Sequence, residues 1–199
     1  MTTNTDQTLP VHELLRRKSF IRSLNAADWI FALVIASAAV FVQTNIDFHM
    51  DIYEMVILWT SAGAAMLLGW FFKPMRWFIL LCLALAYGAL SLYRGDIGNA
   101  DGFLLKYFLS SQSAIMWQCA FVFFALFAYI SGAFVAPRRN SETSTLLGMA
   151  TVFAWISAVA GFTGLLVRWH ESYLLRPDAG HIPVANLYEV FILFLVITA

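Results

Sequence analysis

The richest chemistry in the sequence lies between Arg168 and Glu189. The stretch reads Arg168-Trp169-His170-Glu171-Ser172-Tyr173, then Leu174 to Ala179, then Gly180-His181-Ile182-Pro183-Val184-Ala185-Asn186-Leu187-Tyr188-Glu189. His181 stands between a turn glycine and a proline, in a short constrained loop. An imidazole held in this way can ligate a metal or heme iron, or shuttle protons. A lone loop histidine is also often an ordinary polar surface group, and spacing alone leaves both readings open. Asn186 and Glu189 have a local explanation. Asn186 is a good helix N-cap and Glu189 follows three residues on, a variant of the capping box that normally begins with Ser or Thr. Glu189 would then reach back to the cap's own N–H at the positive end of the helix. His170 and Glu171 form a second polar group, read as a solvated helix end with Glu171 near Arg168 or Arg176.

The elements that must position this stretch are apolar. Of the 199 residues, 61% are hydrophobic and 12% charged, about half the charge of an ordinary soluble domain. Crossing a bilayer takes about 20 apolar residues. Five segments reach that scale: Trp29–Ile46, Met55–Phe72, Trp77–Tyr93, Ala114–Ala136 and Thr145–Val167, none containing Asp, Glu, Lys, Arg or His. A sixth run, Leu187 to Ala199, covers roughly 20 Å against a ~30 Å hydrocarbon core. The expectation is an all-α polytopic transmembrane bundle of five complete spans and a truncated sixth, the chain being a piece of a longer protein. Residues 1–28 form an N-terminal segment, and 29–199 the helical domain with an outer loop at 168–186. Val11–Leu24 mixes basic and apolar residues and reads as lying along the headgroups. Phe103–Leu109 is too short to span and reads as a re-entrant or surface segment.

Orientation follows from Lys and Arg near the span ends. With the N-terminus inside, the inner regions hold Arg16, Arg17, Lys18, Arg22, Lys73, Arg76, Arg138 and Arg139, against Arg94, Lys106, Arg168 and Arg176 outside. The first outer loop carries Asp47, His49, Asp51 and Glu54 and no base. Trp29, Trp70, Trp77, Trp117 and Trp169 fall at the expected membrane boundaries. The N-terminus is therefore expected in the cytosol, and 168–186 on the outer side. Arg16-Arg17 resembles a twin-arginine signal and Ala36-Ser37-Ala38 a cleavage site, but the apolar run continues to Val42 and reads as an uncleaved first helix. Ser157/Gly161 and Ala160/Gly164 form small-xxx-small pairs that admit a close neighbouring helix, with Gly63 and Gly69 serving similarly in the second span. Cys82 and Cys119 both sit in apolar runs without a CxxC pattern and read as small hydrophobes, with a transmembrane thiol relay the alternative. Net charge is zero and the only basic tract is N-terminal, which does not suggest nucleic acid.

The run Gly180-His181-x-Pro183-x-x-Asn186-x-Tyr188-Glu189, preceded by Arg168-Trp169 at the end of a span, resembles the heme-handling membrane protein of System II cytochrome c assembly. This is the CcsA/ResC type, labelled CcsB in some genomes. The resemblance is specific over about 164–199 and elsewhere amounts to compatible span number and orientation. It implies that His181 is an external axial ligand to heme b, supported by Gly180, Pro183, Asn186, Tyr188 and Glu189. It further implies a ResB-type membrane partner, delivery of heme to apocytochrome c at the outer face of a bacterial cytoplasmic membrane, and a place in a heme-attachment complex with no self-contained catalytic site in this chain. The family's second external histidine follows a tryptophan-rich WGxxWxWD-like segment, and neither occurs in these 199 residues. Two other classes remain beside this one. A permease-type domain without cofactor is compatible with spans that lack charge, and a structural membrane subunit would use the capped loop to dock a partner.

Overall fold

Helix starts and stops in this chain are set by short polar signals between long apolar runs. A computed structural model describes residues 24–46, 51–135, 140–175 and 187–198. These form six helices: α1 (Ala26–Ile46), α2 (Ile52–Phe71), α3 (Pro74–Tyr93), α4 (Ser111–Val135), α5 (Asn140–Leu175) and α6 (Leu187–Thr198). A 3-10 turn at Ile97–Asp101 and a π-helical turn at Leu105–Leu109 link α3 to α4. There is no strand among the described residues. The chain is an all-α polytopic bundle, in which α1 to α5 are each long and apolar enough to cross a membrane. At 12 residues α6 extends about 18 Å.

Asp28, in the first turn of α1, accepts a hydrogen bond from the Asn25 N–H at 2.6 Å. Asp51 and Glu54 form a complete capping box at the start of α2. Pro74 opens α3, where its missing N–H costs nothing. The same helix stops at Arg94 and Gly95, both at positive φ (50° and 76°), and the Asn99 amide donates to the Tyr93 carbonyl at 2.8 Å. The apolar starts and ends thus lie within a few residues of those expected, with one large exception. Helix α5 continues through Arg168–Leu175, so the first part of the expected 168–186 loop is helix. At 36 residues it extends about 54 Å, well beyond the ~30 Å hydrocarbon core.

Packing centres on α5. Half of its apolar window is buried, against 22% for each of α1, α2 and α3. Its most extensive partner is α4, and it also touches α3 and α6. Gly161 and Gly164 explain the close approach. A Cβ at Gly161 would overlap the Gln118 side chain, and one at Gly164 would lie 3.0 Å from Ile115 and 3.2 Å from Ala114. Gly69 is similarly covered by the Phe31 ring, whereas Gly63 has open space beside it and serves no such contact. Phe31, Ile35 and Ala39 of α1 pack with Leu58 and Ala62 of α2 and Ile79 of α3. Many large apolar side chains face outward, among them Phe123, Phe127 and Phe134 of α4, as a lipid-facing surface requires. Cys82 is buried and Cys119 half-buried, and both are free thiols.

Candidate functional site

Chain direction alternates through the bundle, so the ends of α1, α3 and α5 meet the starts of α2, α4 and α6. Glu54, Tyr93, Ser111, Arg168, His170, Glu171, Tyr173 and Glu189 all belong to this end. Glu171 is its hub. One carboxylate oxygen accepts from the Tyr93 hydroxyl at 2.5 Å and the Ser111 N–H at 3.0 Å. The other accepts from the Ser111 hydroxyl and lies 3.8 Å from Arg168 Nη1. The Ser111 N–H is one of the orphan donors at the α4 N-terminus, so the carboxylate from α5 serves as its cap. Glu54 is also buried and accepts from the Tyr173 hydroxyl and, at 3.3 Å, from the Asp51 N–H.

Glu171 is therefore not on a solvated helix end, as the sequence suggested; it is enclosed, although its expected neighbour Arg168 is in place. The same guanidinium reaches across to α6, its Nε lying 3.6 Å from Glu189 Oε1. Glu189 is buried and Tyr188 beside it is exposed. Gly180, His181, Pro183 and Asn186 lie outside the described residues, as do Arg176 and the cap that Asn186 would make. The two helix ends that flank them are those joined by Arg168 and Glu189.

His170 has an unusual setting. Neither imidazole nitrogen is exposed and neither has a hydrogen-bond partner, while the ring lies 6.3 Å from that of Tyr93. Buried polar atoms without partners are few in folded proteins. Among the described residues no group of three His, Cys, Asp or Glu side chains could hold a metal ion.

Three polar features went unread in the sequence. Glu54 looked like a loop acid, although its position three residues after Asp51 is the capping-box signal. Gln118 is wholly buried in α4; its side-chain amide donates to the Ile192 carbonyl of α6 at 3.2 Å, and its main-chain carbonyl accepts from the Ser157 hydroxyl at 3.1 Å. At the opposite end, Arg76 of α3 pairs with Asp28 of α1 and donates to the Gly69 carbonyl of α2 at 2.6 Å, fastening three helices. No family model matches the chain, and comparisons with curated proteins and with solved structures find no match.

Proposed function

We infer that the protein handles heme for c-type cytochrome assembly, presenting it at the outer face of a bacterial cytoplasmic membrane. The reading rests on the Gly180-His181-x-Pro183-x-x-Asn186-x-Tyr188-Glu189 run. It is supported by the 3.6 Å contact between Arg168 and Glu189, which joins Arg168, preceding the run at the far end of α5, to the run's last residue. Heme is the cargo here, and His181 is the residue assigned to ligate its iron. Arg168 and Glu189 act as positioning residues, holding together the helices that flank residues 176–186. The orientation that goes with this reading has the N-terminus in the cytosol, as the Lys and Arg distribution favours. A ResB-type membrane protein and apocytochrome c are the partners that it implies.

The test in cells is cytochrome c maturation. His181→Ala should lower the yield of holocytochrome c, and unchanged maturation with unchanged heme content would overturn the assignment. The buried, internally bonded network around Glu171 favours a second reading, a structural subunit whose outer end docks a partner. In that case His181→Ala is harmless while Arg168→Ala abolishes assembly.

A further inference from the structure

Between α3 and α4 the chain turns back into the bundle instead of capping it. Leu105 is 2% exposed and shares a buried cluster with Ala86, Ala89 and Tyr93 of α3 and Val167 of α5. The carbonyl of Tyr107 accepts from Trp117 Nε1 at 2.8 Å. Trp117 lies six residues into α4, its Cα about 9 Å along the helix from the start. The neighbouring carbonyl of Lys106 accepts from the Ser113 hydroxyl at 2.5 Å. Two α4 side chains therefore satisfy carbonyls that the π-helical turn leaves open. Irregular backbone at membrane depth requires such internal partners, because hydrocarbon offers none.

The opposite side of the segment is aromatic and uncovered. Phe103, Tyr107 and Phe108 are 70%, 50% and 48% exposed. They continue an aromatic face that runs down α4: Phe108 stacks on Trp117 at 6.0 Å with planes 6° apart, Trp117 meets Phe121, and Phe121 meets Phe124. That lower part belongs to a helix long and apolar enough to cross a membrane, and Phe124 there is exposed. Lys106 and Asp101, 3.6 Å apart and exposed, supply a polar edge.

We propose that residues 103–108 are a re-entrant anchor seated in the headgroup–acyl boundary of the bilayer, with Phe103, Tyr107 and Phe108 in contact with lipid. Tyr rings are enriched at that depth, Phe side chains bury there on the apolar face of interfacial segments, and Lys106 extends from it toward water. The anchor does not depend on heme handling.

The experiment is site-directed spin labelling of the protein in phosphatidylcholine–phosphatidylglycerol vesicles. Nitroxides are placed by Phe103→Cys and Tyr107→Cys, with Asp101→Cys as the polar-edge reference and Phe123→Cys as the lipid-facing one, all in a Cys119→Ser background that keeps the buried Cys82. All four positions are exposed, so the labels leave the core intact. At 103 and 107, relaxation by oxygen should exceed relaxation by a water-soluble nickel chelate, as at 123, with the order reversed at 101. Chelate-dominated relaxation at 103 or 107 would place the segment in water. Exclusion of both relaxers at either position would mean that another protein chain covers it. Either result overturns the proposal.

Discussion

Arg168 Nε lies 3.6 Å from Glu189 Oε1, while its Nη1 lies 3.8 Å from Glu171 Oε2. One guanidinium thus faces two buried carboxylates, one on its own helix and one on α6. This contact ties the far end of α5 to the first turn of α6, and the segment containing His181 joins those two ends. Removing one partner from a fully buried ion pair costs about 3–5 kcal/mol. The Arg168 side chain is 42% exposed, so Arg168→Met should cost less, about 1–3 kcal/mol in unfolding free energy. A double-mutant cycle with Glu189→Gln should return a coupling of about 1 kcal/mol, and additive single effects would show that the contact carries no energy.

Glu171 accepts from two hydroxyls and one backbone N–H, and all three donors lose their acceptor in Glu171→Ala. That variant should lose about 3 kcal/mol. Glu171→Gln should lose less, because one amide oxygen can still accept while its NH2 faces donors. Tyr93→Phe, which removes a single donor, should cost less than the alanine variant, about 1–2 kcal/mol, near the glutamine variant. Denaturant unfolding in detergent measures the order, and an alanine variant as stable as the parent would contradict the hub assigned to Glu171.

Gly161 and Gly63 sit in similar sequence settings but should respond with opposite sign. A methyl at Gly161 displaces the Gln118 amide and breaks its hydrogen bond to Ile192, so Gly161→Ala should destabilise by about 1–3 kcal/mol. At Gly63 the space is open, and the better helix propensity of alanine should stabilise by about 0.5–1 kcal/mol. Thermal unfolding of the two variants side by side checks the contrast.

The orientation can be read with reporter fusions. A periplasm-dependent phosphatase joined after Gly95 should be active, and the same reporter joined after Lys73 inactive. The reverse pattern would invert the bundle and put residues 176–186 on the inner side.

The five spans could be read from composition because apolar run length is a local property. Small-residue spacing likewise pointed to Gly161 and Gly164. It failed at Gly63, since the same spacing marks a helix face without saying whether a neighbour covers it. Glu171 was misread for a related reason. A charge at the end of an apolar run looks the same whether water or a tyrosine lies beyond it, and Tyr93 is 78 residues away. The length of α5 was underestimated because Arg168, His170 and Glu171 resemble a stop signal, whereas the partners of Glu171 on α3 and α4 and of Arg168 on α6 allow the helix to continue. Gln118 was passed over because a single amide in an apolar run says nothing of the carbonyl it will meet.

The proposal that His181 ligates heme iron is tested most directly by absorption spectroscopy of the purified protein. The parent, purified as it occurs in its native membrane, should show a Soret band and a pyridine hemochrome of heme b. His181→Ala, eluting as the parent does, should lose or shift that band and recover it in part with added imidazole. Identical spectra and heme content in the two proteins would contradict the account.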